Sequence, residues 1–270
     1  MTRKPRILGV LATALTIAAV QPAAAQLTTV RVRVTNLAPA NGTALTPVWI
    51  GIHDGSFRTF TPGMASSSAL ERLAEDGDTP PISTLFNNGG FSTQATLGSA
   101  PILSGQSAEF TFLLDPTNPL NRYLNYASMV LPSNDAFIGN ADPLAFALVG
   151  GDGRFRSFSF NVLGSSVWDT GTEVNDELAS NTAFFGQSMP NTGTTENGVV
   201  TRHPGFIRGG RILSAAQFAN ADFTGEGYQV ARFEIAVVPE PSTYLLMGTG
   251  LLGLWVGAVR RKRARRAQLG

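Results

Sequence analysis

The chain has 270 residues, of which 43% are hydrophobic and 14% are charged, and it contains no cysteine. This length and composition can bury a large core, which excludes disorder as the main state, and the lack of cysteine excludes disulfides and thiolate metal sites. The net charge of +1 hides two basic ends, because residues 26–238 hold 11 Arg against 18 Asp and Glu, or about −7 by that difference. Such an acidic body argues against general binding to nucleic-acid phosphates.

The first 25 residues have the three parts of a secretory signal peptide. Three basic side chains precede residue 7, residues 7–20 are apolar, and Ala23–Ala25 supply the small residues of a cleavage site. The apolar stretch has 14 residues, fewer than the roughly 20 that a spanning helix needs. We therefore predict a signal peptide over residues 1–25, export across the inner membrane, and a mature chain that begins at Gln26.

Alternation of apolar and polar side chains predicts strands through the body of the chain. In residues 29–35 three Val alternate with Arg and Thr, so that the Val side chains share one face of a sheet. Further predicted strands, rich in Val, Ile, Phe and Tyr, are residues 48–53, 108–114, 123–131, 155–163 and 229–237. A Gly-Gly-Asp-Gly run at 150–153 is typical of a hairpin loop between residues 145–149 and the strand at 155–163.

One helix is predicted over residues 66–75, where Ala69, Leu70, Leu73 and Ala74 fall at helical spacing before Gly77. The interior shows no repeat and no break in composition. Residues 26–238 are therefore predicted to be one all-β domain, an antiparallel β-sandwich with one short helix and long loops.

Two acidic segments follow predicted strands, Ser133–Asp135 and the stretch from Val167 to Glu177. Gly171 can adopt a positive φ and curl the second segment, so that Asp169 and Glu173 could face one point. Calcium takes about six to eight oxygen ligands from carboxylates, carbonyls and water. The spacing alone leaves two interpretations open, a calcium site or a solvated acidic turn whose side chains cap local N–H groups.

The body, from residue 28 to about residue 236, resembles bacterial spondin domains, which are related to the spondin module of the animal matrix protein F-spondin. The segments that carry the resemblance are TPVWIGIHDG at 46–55, the run at 129–139 that contains Ser-Asn-Asp, WDTGTE at 168–173, and residues 181–186 and 197–200. It implies a β-sandwich with one structural calcium ion, held by Asp135, Asp169 and Glu173. Glu173 stands where the animal loop has Asp, and the family's nearby cysteines are absent here.

The C-terminal end combines Pro-Glu-Pro at 239–241, sixteen uncharged and mostly apolar residues at 244–259, and six basic residues within 260–266. Positive charge beside an apolar segment stays in the cytoplasm, which leaves the body on the other side of the inner membrane. Residues 239–266 resemble the PEP-CTERM sorting signal of Gram-negative bacteria. The resemblance implies a transient transmembrane helix and an exosortase that releases the protein to the cell surface. The alternative is a plain membrane anchor that is retained.

The two histidines, His53 and His203, are interpreted as polar loop or strand-end residues, and no catalytic or cofactor-binding residue is predicted. We expect a secreted, non-enzymatic, calcium-binding module that acts in adhesion or in an extracellular matrix. Its expected partners are an exosortase and either exopolysaccharide or another surface protein, with no nucleic acid. The alternative is a calcium-dependent carbohydrate-active enzyme, which would need paired carboxylates in an open cleft.

Overall fold

The computed structural model of the chain describes residues 27–239 and 248–258. The predicted signal peptide and the Arg-rich end lie outside these residues. Residues 248–258 are helical, and the predicted membrane helix at 244–259 extends beyond them on both sides. Among the described residues, no helix combines the length and the apolar character needed to cross a membrane.

Residues 27–239 form two antiparallel sheets. The first sheet has the strand order β5-β1-β11-β8, with β1 at Thr28–Asn36, β5 at Ser107–Leu114, β8 at Phe158–Leu163 and β11 at Gln229–Val238. The second has the order β10-β9-β7-β6-β3-β4, and β2 also pairs with β6. Its strands are β2 Ala44–Leu45, β3 Val48–His53, β4 Gln94–Leu97, β6 Tyr123–Leu131, β7 Ala136–Gly139, β9 Trp168–Asp169 and β10 Thr201–Arg202. The predicted antiparallel all-β sandwich is confirmed.

The strands predicted from alternation are all present, with small changes at their ends. The strand predicted from residue 155 begins at Phe158, because only an isolated bridge between Val149 and Phe155 closes the glycine-rich turn. The amide of Gly150 donates to the carbonyl of Arg154 at 2.8 Å, as expected for a tight hairpin loop.

The helices differ in number from the prediction. Helix α1 (Ser68–Asp76) confirms the predicted helix: the Ser67 side chain accepts the amide of Leu70, and Gly77 ends the helix at φ 67°. The prediction of one short helix is corrected by a second, α2 (Pro80–Asn88), which buries only Ile82 and Phe86 and therefore gives a weak periodic signal. The remaining helical segments are α3 at Arg211–Ser214 and 3₁₀ turns at Pro119–Asn121, Gly164–Ser166 and Ala216–Phe218.

Two apolar clusters pack on opposite faces of the second sheet. The larger lies between the sheets and includes the three alternating Val of β1. The smaller lies on the outer face, where α1 and α2 pack against Trp49 of β3, Phe137 of β7 and Trp168 of β9. The second sheet is therefore covered on both faces, and eight of the nine residues of β6 are buried.

Candidate metal centre

Three adjacent strands of the second sheet bring Asp135, Asp169 and His203 together. Asp135 immediately precedes β7, and Asp169 ends β9, where it lies opposite Ala136. On the other side of β9, Thr201 of β10 lies opposite Asp169, and His203 follows that strand. Strand pairing therefore joins residues that lie far apart along the chain.

The three side chains form a compact and buried group. Atoms able to bind a metal on Asp135, Asp169 and His203 all lie within 4.8 Å of one another. The three residues are 0%, 5% and 7% exposed. Two buried carboxylates this close repel one another unless a proton or a cation lies between them, so this group could hold a metal ion.

Asp135 has one carboxylate oxygen that is available to a ligand. Its Oδ2 accepts the hydroxyl of Thr170 at 3.0 Å, whereas Oδ1 is buried and has no hydrogen-bond partner among the described residues. Burial, and then the negative charge of Asp169, raises the pKa of Asp135 to about 8. The side chain is thus held where its charged form needs a positive partner.

Asp169 is fixed by the loop that follows it. Its Oδ1 accepts the amide of Gly171 at 2.6 Å, and its Oδ2 accepts the side-chain amide of Asn175 at 2.6 Å. Gly171 has φ +67°, and a Cβ there would lie 2.7 Å from the backbone N and O of Val199. Only glycine fits this curl without strain, as the sequence predicted.

His203 reaches Asp169 through Asn175. Its Nδ1 accepts the amide of Gly205 at 3.0 Å, so the hydrogen of the neutral ring lies on Nε2, which donates to Oδ1 of Asn175 at 3.0 Å. Burial lowers the pKa of His203 to about 4, which keeps the ring neutral. A metal-bound histidine instead binds through a bare nitrogen and donates its other N–H to an acceptor. The hydrogen bonds of His203 therefore suit a positioning group better than a direct ligand.

Glu173, the third ligand implied by the family resemblance, points its carboxylate elsewhere. Its Oε1 accepts the amide of Gly193 at 2.9 Å, and its Oε2 is buried with no hydrogen-bond partner among the described residues. Only its backbone amide faces Asp135, at 3.5 Å from Oδ2. Burial raises the pKa of Glu173 to about 7. The structure thus brings Asp135 and Asp169 together, and the role of Glu173 as a ligand stays a prediction.

Sequence reasoning missed His203 and Asn175 as parts of this site. His203 follows a strand of only two residues, too short to show alternation, and the metal prediction considered acidic residues alone. The local sequence signals only the turn at His203, since the His-Pro-Gly run at 203–205 repeats the His-x-Gly pattern of His53 to Gly55. In both turns the glycine amide donates to Nδ1 of the histidine.

Comparison with known proteins identifies the C-terminal segment. A family model described as the PEP-CTERM protein-sorting motif matches residues 237–262. No curated protein matches the sequence. The chain therefore carries a PEP-CTERM signal, which exosortase recognises and which marks a secreted, surface-sorted protein.

Proposed function

We propose that the body is a spondin-like module that binds one structural calcium ion at the surface of a Gram-negative bacterium. It acts without catalysis, in adhesion or in association with extracellular matrix, exopolysaccharide or another surface protein. The observation that carries the metal assignment is the buried, unpaired Oδ1 of Asp135 beside the carboxylate of Asp169. The sorting signal supports the surface location.

The chemistry of the donors favours calcium over zinc. Calcium binds hard oxygen ligands, and Asp135, Asp169 and the hydroxyl of Thr170 supply oxygen at this point. Zinc prefers imidazole or thiolate ligands, but the chain has no cysteine and His203 accepts an amide at Nδ1. The family resemblance implies Glu173 as a third carboxylate ligand, and in this structure its Oε1 accepts the amide of Gly193 while its Oε2 is buried without a hydrogen-bond partner among the described residues.

Burial supports a structural role for the two carboxylates. A glycosidase pair lines a cleft that admits a sugar and a water molecule. Asp135 and Asp169 are 0% and 5% exposed, which favours a structural role over an open substrate cleft. We therefore keep the non-enzymatic function as the proposal.

The metal assignment is tested by thermal melting of the purified full chain. With a Kd of roughly 0.1 mM, 1 mM calcium adds about 1.4 kcal/mol to the free energy of unfolding, or about 3–6 °C in Tm. Asp169→Asn should abolish most of this rise, whereas Asp152→Asn, in the exposed hairpin turn, should preserve it. A Tm that neither EDTA nor millimolar calcium changes would contradict the assignment.

The sorting assignment is tested separately by intact-mass measurement on protein recovered from the cell surface. We expect the recovered chain to lack residues 260–266, because exosortase processing removes the basic end. Surface protein that retains these residues would support the plain membrane anchor instead.

A further inference from the structure

A pocket of about 410 Å³ opens beside the C-terminal end of α1, and its lining does not include Asp135, Asp169 or His203. Met129 and Leu131 at the end of β6 form its apolar floor, and both are buried. Phe184 and Met189 stand at its rim, 53% and 64% exposed. The volume lies in the range of small-molecule sites, about 300–1,000 Å³.

Glu75 lines this pocket and is only 2% exposed. The Thr172 hydroxyl lies near this carboxylate and favours its charged form. Within residues 27–239 no ion pair includes Glu75, whereas the neighbouring Asp76 pairs with Arg72 at 2.6 Å. A carboxylate that faces an apolar pocket without a cation is costly, and a positively charged ligand would relieve that cost.

The surrounding charges disfavour a bare negative charge on Glu75, so its carboxylate takes either a proton or a cation. Glu173, Glu71 and Asp76 all act on Glu75 as negative charges. The lining is mixed: side-chain oxygens come from Thr46, Glu75, Asp76, Gln187 and Ser188, and the remaining surface is largely apolar, with Met129, Leu131 and Phe184. Thioether and aromatic groups suit the apolar body of an organic cation.

Phe184 has a backbone conformation that is unusual for a bulky residue. Its φ is +68°, in the left-handed region that side chains other than those of Asn, Asp and Gly rarely adopt. This conformation accompanies a ring that stays half exposed at the rim rather than packed in the core. Strained residues of this kind cluster at ligand sites.

We propose that the pocket binds a small organic cation, a primary ammonium group on a short apolar body. Glu75 accepts hydrogen bonds from the ammonium group, while Met129, Leu131 and Phe184 contact the body of the ligand. Asp135, Asp169 and His203 do not line this pocket, so its binding can be tested with the metal centre empty.

The test is calorimetric titration of the full chain in EDTA with n-butylammonium chloride, with n-butanol as the uncharged probe. We expect saturable binding of the ammonium compound and none of the alcohol. Glu75→Gln should weaken binding about tenfold or more, because a charge-assisted hydrogen bond is lost, whereas Glu226→Gln, an exposed acid elsewhere, should leave it unchanged.

Melting curves establish first that both variants fold. The absence of n-butylammonium binding to the folded wild-type chain would overturn the proposal, as would equal affinity of wild type and Glu75→Gln. Equal binding of n-butanol would show an apolar cavity without a cation site. Because EDTA is present throughout, all of these outcomes are measured with the metal centre empty.

Discussion

The two sheets of the sandwich differ in how far their faces are exposed to solvent. The first sheet has one solvated face, on which Arg31 and Arg33 of β1 lie 4.0 and 3.8 Å from Glu109 with both partners well exposed. The second sheet is covered on both faces, by the first sheet on one side and by α1, α2 and loop residues on the other. Its strand β3 has no exposed residue.

This difference in solvent exposure explains why the buried carboxylates lie at the second sheet. A polar group on the first sheet is satisfied by water, whereas one at the second sheet must find its partner inside the protein. Asp135, Asp169 and His203 are buried at the end of the second sheet, and Glu75 and Glu173 are buried beside it. Buried carboxylates without a cationic partner among the described residues favour the binding of a cation, which is the basis of both sites proposed above.

The largest expected effect is on the outer core of the second sheet. Phe137 is fully buried and packs edge-on against Phe60 at 5.0 Å, so Phe137→Ala should cost about 3–5 kcal/mol of stability. The matched change on the first sheet, Phe110→Ala, removes a ring that is 43% exposed and should cost less than about 1 kcal/mol. Urea unfolding measures both, and equal losses would show that the two sheets are covered to the same extent.

The next effect is on the loop of the metal centre. Gly171→Ala combines a positive φ with a Cβ only 2.7 Å from the backbone of Val199, and should cost about 1–3 kcal/mol and weaken the calcium response. Gly105→Ala has a similar φ of +75° in open space, so it isolates the cost of the backbone conformation. If Gly171→Ala leaves the calcium-dependent rise in Tm unchanged, the loop around Gly171 does not contribute to calcium binding.

The contrast between the sheets also explains what the sequence can predict. Strand β1 is recognisable because one of its faces is solvated and the other is buried, so apolar and polar side chains alternate along residues 29–35. Strands β9 and β10 have two residues each, which is too short to show an alternation of apolar and polar side chains. Helix α2 begins with two prolines and buries only two side chains, so its sequence shows little helical periodicity. Short elements of this kind are fixed by tertiary packing rather than by local pattern.

The same limit applies to the metal centre. Asp135 and Asp169 are predictable because both are acids in loops next to predicted strands. The direction of the Glu173 carboxylate depends on the segment around Gly193, which approaches from 20 residues away. His203 and Asn175 meet through a hydrogen bond across 28 residues, and nothing in the local sequence of either one indicates that pairing.

A smaller effect concerns the pH dependence of stability in EDTA. Burial raises the pKa of Glu75 to about 7, so the folded state keeps a proton that the unfolded chain releases near pH 4.5. Stability therefore falls as the pH rises between these two values. Glu75→Gln removes this loss and should raise stability at pH 8 by on the order of 1 kcal/mol, after allowance for screening by nearby water, with little change at pH 4. Melting curves at pH 4 and pH 8 measure this effect. A Glu75→Gln variant that is less stable than wild type at pH 8 would contradict the raised pKa of Glu75.

The smallest effect is expected on the solvated face of the first sheet. Arg33→Ser removes an exposed ion pair with Glu109 and should change stability by less than about 1 kcal/mol, and by less still in high salt. Unfolding in low and high salt measures this effect. A loss above about 2 kcal/mol would mean that this face is covered in the folded protein.

The most direct test of the metal centre is calorimetric titration of calcium into the metal-stripped full chain. We predict one site with a Kd of roughly 0.1–1 mM, lost in Asp135→Asn and in Asp169→Asn and weakened in His203→Ala, which removes the support of Asn175. Zinc should bind no more tightly than calcium. The absence of calcium binding, or full binding by a chain that carries both Asp→Asn changes, would contradict a calcium site at the end of the second sheet.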